Sequence, residues 1–450
     1  MLLLTCSVPS YGAEEQLNST VLAGLWRGSL QLPGYQLDVM FRLVRLTTGD
    51  YFATLDAPLQ QVGDLAVTMV TQTDTVFLML ADTDSNFAGR LTTDGKQLRG
   101  VWQQPGFAGP LTLTRTASAF FPPHRAPPYR QEEVSFSNTS ANLQLAGTLT
   151  VPPGAGPFPA VVLLSDGGAH DRNGTVGNFG LLGQLADYLT QHGVAVLRFD
   201  DRGIGKSGGT SPATMNEQMS DAQAALRYLR ARPEVNPNQL GLVGHGEGGN
   251  TALLAAAQLV PPAFVVGLAP YGMLGAEVAV QQQVITLRNL EVAPDQITAT
   301  VKRQQAMFEI IRQIPDNIQA QAILTNMLRQ SNKNLDLAAA QAAAAKMVSA
   351  HYRAFLSFEP GKTLPNVACP VLLLYGTADL ALDADINANT LMKGFRSNRA
   401  VTLRKLPGVN HLFQPDPTQW PIIAGEQQPN FSPAAAEAIQ AWVAEQVRKK

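Results

Sequence analysis

Gln239-Leu240-Gly241-Leu242-Val243-Gly244-His245-Gly246-Glu247-Gly248-Gly249 is the stretch whose reading decides the fold. Gln239–Val243 reads as a short apolar strand, and Gly248–Leu259 as a helix rich in Ala and Leu. Between them lies a sharp glycine-rich turn. Two motifs overlap on it. Gly244, Gly246 and Gly249 satisfy G-x-G-x-x-G, but a dinucleotide site also needs an acid about 20 residues further on for the ribose hydroxyls. No Asp or Glu occurs between Gly248 and Gly275, so that reading is set aside. The other motif is the nucleophile elbow, G-x-S-x-G, which occupies the same strand-to-helix turn. Every position fits except the central one, which holds Gly246.

Outward from the elbow, apolar runs alternate with helical spacings. Pro159–Leu164, Val194–Phe199, Ala263–Leu268 and Val371–Tyr375 are short and almost wholly apolar, as strands buried on both faces must be. Helical spacings over Asn178–His192 and Ser220–Arg232 separate them, and an amphipathic helix closes the chain from Pro433 to about Val447. Alternation of this kind predicts a doubly wound, mostly parallel sheet with helices on both faces. It is interrupted at 274–350 by a Gln- and Ala-rich stretch that is helical throughout, read as a lid over the ligand crevice. Asp200–Gly208 invites comparison with a phosphate loop, but Asp200 stands where that loop requires Gly. The G-x-G-x-x-G within it (Gly203, Gly205, Gly208) follows the wrong strand for a dinucleotide fingerprint.

Residues 20–116 follow a different rhythm. Leu37–Leu43, Thr75–Leu80 and Leu111–Thr114 alternate polar and apolar, with turns such as Thr93-Asp94-Gly95 between them. They predict a small antiparallel β-barrel, with Trp26 and Trp102 as core residues. The Pro-rich segment 117–130 reads as a linker, His124 as a solvated side chain within it, and 131–450 as the second domain. Residues 1–13 end in a small-residue pattern before Glu14-Glu15 and read as the back half of a signal peptide, so the expected location is exported, periplasmic or secreted.

The chain has 450 residues with 33 Lys+Arg against 35 Asp+Glu. That balance argues against a nucleic-acid partner. Two cysteines, Cys6 and Cys369, are too few for a disulfide scaffold or a zinc cluster. With no run of 18 apolar residues, no membrane span is expected. Neither a cofactor nor a metal is called for.

Taken together, residues from about 129 onward resemble the α/β-hydrolases, and within them bacterial exported serine esterases related to serine aminopeptidases. The likeness rests on Leu145–Leu149, Asp171-Arg172-Asn173, Arg198–Ser207, the elbow, Cys369–Leu372 and Asn410-His411-Leu412-Phe413. An N-terminal barrel is a familiar companion in that family. The resemblance implies a triad in the order nucleophile, acid, histidine. It assigns the acid to Asp379 and the histidine to His411, with Asp379 orienting the imidazole. Oxyanion and binding groups fall on Glu247, Ser165, Asp166 and Gly167, and the implied ligand is a small ester-like or acyl molecule.

Two departures sit at the chemistry. Gly246 offers no nucleophile, and losing one costs roughly six orders of magnitude in turnover. Asp166 stands where the family has Gly, and pointing inward it would oppose a developing oxyanion. The expectation is therefore an esterase-type protein that is weak or inactive as a serine esterase. Its alternatives are a ligand-binding pseudo-hydrolase and an enzyme using His411 and Asp379 as a general-base pair without a covalent step. Gly246→Ser is expected to restore part of the esterase activity. Arg202 is read as pairing with Asp200 or Asp201, His245 as supporting the turn, and His192 and His351 as structural. Ser165 and His170 are read as candidate ligand contacts.

Overall fold

A computed structural model describes residues 22–32, 35–45, 51–57, 62–72, 74–80, 85–104, 107–116, 127–289, 292–331, 336–423 and 426–448. The expected signal segment, Cys6, His124 and most of the linker lie outside the described residues. The chain divides into two compact units, Met1–Phe120 and Phe121–Lys450.

The first unit is a closed antiparallel barrel of β1 (Gly24–Leu32), β2 (Tyr35–Arg45), β3 (Tyr51–Ala57), β4 (Val62–Gln72), β5 (Thr75–Leu80), β6 (Ser85–Leu91), β7 (Gln97–Gln104) and β8 (Phe107–Thr116). Each strand pairs with the next, and β1 closes on β8 through Leu25↔Thr116. Alternation drives it: in β5, Val76, Leu78 and Leu80 are buried and their neighbours are more open. Trp26 and Trp102 share this core with Phe41, Phe87 and Leu113. Their indole N–H groups donate to Leu22 O and Gln104 Oε1 at 2.9 and 2.8 Å, so neither buried donor is orphaned.

The second unit is built on an eight-stranded sheet. Its first strands are β9 (Arg130–Asn138), β10 (Leu143–Val151) and β11 (Phe158–Leu164), followed by a minor hairpin, β12 (Thr175–Val176) and β13 (Phe179–Gly180). Then come β14 (Ala195–Phe199), β15 (Val235–His245), β16 (Phe264–Leu268), β17 (Val371–Gly376) and β18 (Val401–Leu406). The sheet order is β18-β17-β16-β15-β11-β14-β10-β9. From β14 to β18 all pairings are parallel, and only the β14–β10 and β10–β9 pairings are antiparallel, so β10 alone runs against the rest. The central strands are buried on both faces: β16 and β17 expose no residue. Helices α1 (Leu181–Gln191), α2 (Met215–Arg230) and α3 (Glu247–Ala256) follow β13, β14 and β15 in the chain. α2 opens on a capping box, Thr214 with Glu217. This is an α/β-hydrolase sheet.

The segment between β16 and β17 is helical and runs past the expected bound at 350: α4 (Gly275–Asn289), α5 (Pro294–Gln313), α6 (Asn317–Ser331), α7 (Leu337–Met347), α8 (Ala350–Ser357) and the short α9 (Pro360–Thr363). Helix α10 (Ala384–Gly394) precedes β18, and α11 (Pro433–Arg448) packs Trp442 edge-on against Phe264, 6.0 Å between centroids. Among the described residues no helix is long and apolar enough to cross a membrane.

Candidate active site

The elbow forms because three glycines let two backbones meet. Gly246, between β15 and α3, has φ 51° and ψ −120°, a region that residues with a Cβ enter only under strain. Gly244 and Gly248 serve close approach instead. A Cβ at Gly248 would press on the Leu164 carbonyl at 2.8 Å, and one at Gly244 on Gly249 N at 2.6 Å. Helix α3 carries no side-chain cap of its own at Gly246.

The cap comes from another strand. Asp166 follows β11, and its Oδ1 accepts from Gly167 N and Glu247 N, both at 2.7 Å, and from the Tyr271 hydroxyl at 3.2 Å. Two backbone amides converging on one oxygen, one of them at a helix N-terminus, make a site for an anion. The carboxylate also fills the space in front of Gly246. An ideal Cβ at 246 would fall within contact distance of Oδ1, Cγ and Oδ2, the farthest at 2.6 Å. Asp166 thus occupies the volume that a side chain at the elbow would take.

His411 completes the constellation. Its Nδ1 donates to Asp379 Oδ2 at 2.8 Å. Asp379 is held by Ala381 N and Leu382 N on its other oxygen, both at 2.8 Å. His411 Nε2 faces Asp166 Oδ2 at 3.5 Å. Burial works against the imidazolium, but Asp379 and Asp166 outweigh it and push the His411 pKa up to about 10. Burial likewise opposes the Asp166 charge, yet His411, His245 and the Glu247 amide hold its carboxyl well below the usual range. These shifts favour a proton on His411 facing an ionised Asp166. Asp379 is closed off at 1% side-chain exposure, whereas Asp166 at 24% and His411 at 16% remain reachable by a small molecule.

The surrounding groups are more specialised than their sequence suggests. Burial brings the His245 pKa down to about 4, and its neutral ring donates from Nε2 to His411 O at 2.9 Å. It thus ties the elbow strand to the histidine loop. Glu247 turns its side chain inward. Burial, with Asp166 and Asp201 adding repulsion, pushes its pKa up to about 8. Ser165 Oγ donates to Asp201 at 2.8 Å, and His170 N donates to the same carboxylate, so both brace a loop. The expected Arg202 pairing is corrected. Arg202 Nε donates to Asp221 at 2.6 Å, while Asp200 pairs with Arg172 at 2.8 Å. All three residues lie past the end of β14, where the chain turns, and the charges pair with residues brought in by other segments. His192 and His351 bond to the carbonyls of Tyr188 and Ala213.

Asp166, His245 and His411 each offer one metal-ligating atom, all within 4.8 Å of one another. Asp166 Oδ1 is taken by two amides and a hydroxyl, and His245 Nε2 by a carbonyl, which leaves Asp166 Oδ2 and His411 Nε2 facing each other as an ion pair.

A family model described as serine aminopeptidase, S33, matches residues 172–418, more than half of the chain. The chain belongs to this family. It is similar to Esterase EstD of Thermotoga maritima, 34% identical over 105 residues, 23% of this chain and 25% of that protein. It is also similar to the polyketide transferase grgF of Penicillium sp, 33% identical over 92 residues, 20% of this chain and 31% of that protein. The chain thus spans only about a quarter to a third of the length of these relatives. Among solved structures it resembles the α/β hydrolase GrgF from Penicillium sp. sh18, with TM-score 0.43, 19% identity and coverage of 63% of this chain and 91% of that one. The Pyrococcus furiosus esterase Pf2001 matches with TM-score 0.42 and 14% identity, covering 71% and 93%.

Proposed function

We propose that this protein is a hydrolase of small organic substrates in the esterase lineage whose serine route is closed and whose remaining chemistry runs through His411 and Asp379. One observation carries the reading: the elbow keeps its geometry at Gly246, but the space for a nucleophilic side chain holds the Asp166 carboxylate, which faces His411. An ester carbonyl oxygen seeking the two amides would have to displace Asp166 Oδ1. Short activated esters are therefore poor substrates. The helical insertion is taken as a lid, and the expected location remains outside the cytoplasm.

Two measurements test this. A fluorophosphonate probe should leave the parent unlabelled, because the probe needs a serine nucleophile at the site. Whatever hydrolysis the protein shows should fall by at least about 10²-fold in His411→Ala. Turnover indifferent to His411 would place the chemistry elsewhere. A complete lack of turnover with retained ligand binding would favour the pseudo-hydrolase reading.

A further inference from the structure

The feature that closes the serine route is itself reactive. Asp166 places an ionised carboxylate where an elbow nucleophile would stand, with Oδ1 fixed by Gly167 N and Glu247 N and Oδ2 directed toward His411. We propose that Asp166 is the nucleophile of this site and that its substrate is an epoxide, attacked at an sp³ carbon by Oδ2. This rests on the reading that the site is a hydrolase without a serine.

The substrate class follows from what the two amides can do. In acyl transfer they must hold the oxygen of the substrate carbonyl, and here Oδ1 already occupies them. A carboxylate attacking an ester would also have to expel an alkoxide far more basic than itself. Displacement at an sp³ carbon needs no such hole in its first step. Once Oδ2 is alkylated, Oδ1 becomes the carbonyl oxygen of an ester and stays where the amides converge. The hole then activates the enzyme's own intermediate for hydrolysis.

The steps balance. Asp166 Oδ2 forms a C–O bond to an epoxide carbon, and the ring C–O bond breaks, leaving an alkoxide. The proton that His411 carries in the resting site goes to that alkoxide. Esterification removes the Asp166 charge that helped hold this proton, so His411 becomes a neutral base oriented by Asp379. It takes a proton from water, hydroxide adds to Asp166 Cγ, and the tetrahedral intermediate expels the second alkoxide. That alkoxide takes the proton of the newly formed carboxylic acid. Epoxide and water become a diol, with carboxylate and imidazolium restored and no co-reactant used. An epoxide fits better than an alkyl halide, because its leaving oxygen requires the proton that His411 holds.

Oxygen-18 tests this on the unsubstituted protein with styrene oxide as probe. With enzyme in excess in labelled water, the first-turnover diol should carry only ordinary oxygen, and the peptide containing Asp166 should gain the label. Acid quench of the unsubstituted protein during the first turnover should trap a covalent styrene oxide adduct on Asp166. His411→Gln, which lacks both the acid and the base, should form neither adduct nor diol, and Asp166→Asn should lose at least about 10³-fold in turnover. The label and the adduct report on an intact Asp166, so a folding failure of Asp166→Asn leaves the test standing. A labelled first-turnover diol with Asp166 unlabelled overturns the inference while His411-dependent hydrolysis keeps the broader reading. So does activity on p-nitrophenyl butyrate alone, or turnover abolished by a chelator and restored by zinc with Asp166 unlabelled. No His411-dependent turnover of either probe sinks both.

Discussion

At the scale of single residues, Gly246 and Asp166 behave as one unit. The simple view holds that returning serine to the elbow revives part of the esterase. The space in front of Gly246 contradicts it, because a Cβ there meets all three carboxylate atoms of Asp166. Gly246→Ser alone should leave p-nitrophenyl butyrate hydrolysis within about 10-fold of background and cost about 1–3 kcal/mol from backbone strain. Gly246→Ser with Asp166→Gly should exceed the single change by at least about 10²-fold and become reactive to fluorophosphonate. The effects are not additive, since the second change empties both the volume and the amides that the first one needs. A single Gly246→Ser variant with full esterase activity would show that Asp166 swings aside at no cost.

Glu247 poses a separate question at the same scale, because it is a buried acid that touches neither His411 nor Asp379. Its pKa rises from 4.5 to about 8, so the folded protein holds a proton that the unfolded chain releases over that range. Folding then takes up a proton, and stability falls as pH climbs from about 4.5 through about 8. Glu247→Gln, which has nothing to ionise, should melt above the parent near pH 9 and show little difference near pH 5. A parent melting temperature that rises across this window would contradict the burial argument.

At the scale of elements, helix α3 takes its N-terminal charge partner from the loop after β11, and that loop thereby also sets the state of His411. Asp166→Asn keeps an oxygen for the two amides and removes only the charge. The His411 pKa, about 10 in the parent, should then fall toward the ordinary histidine range, with Asp379 alone still raising it. Imidazole NMR against pH reads this directly. A group with a raised pKa stabilises fully below its unfolded value and loses that contribution as pH rises through the folded one. The alkaline loss of stability should therefore begin at the same pH in both proteins, near the unfolded histidine value, but be smaller and complete at lower pH in Asp166→Asn. An unchanged His411 titration would mean that Asp379 alone accounts for it.

Elements were also what the sequence displayed best. Buried strands such as Val371–Tyr375 carry their burial as unbroken apolar runs, and Gly244, Gly246 and Gly248 mark the elbow because only glycine fits there. Asp379 sits just past such a strand, whereas His411 follows the half-exposed β18, and its reading rests on its order in the chain. Asp166 was legible as an intrusion but not as an occupant. Its position in front of Gly246 depends on how far one loop reaches across another, and no local pattern encodes that. The Tyr271 hydroxyl left no sequence signal, and His245 was legible only as a support of the turn, not as a tie to the His411 carbonyl. The Arg202 pairing is not legible because its partner Asp221 comes from α2 and the residues beside it lie in a turn that pairs elsewhere.

At the scale of the whole molecule, the barrel and the hydrolase unit bury separate cores. One cluster centres on Trp26, Phe41 and Phe87, the other on the β11–β17 strands. Every residue of the candidate site belongs to the second unit, which extends from Phe121. Its first described contacts are Tyr129 Oη to Asp187 at 2.7 Å and Arg130 to Glu234 at 2.5 Å, so a cut must fall before Tyr129 to keep them. A chain of residues 127–450 should therefore fold alone, because among the described residues its core cluster is built from Val134 onward. It should melt cooperatively, keep the high His411 titration, and retain His411-dependent turnover per site within about 3-fold of the full chain. Aggregation, or a His411 that titrates in the ordinary range, would show instead that the hydrolase unit needs the barrel to hold Asp166 against the elbow.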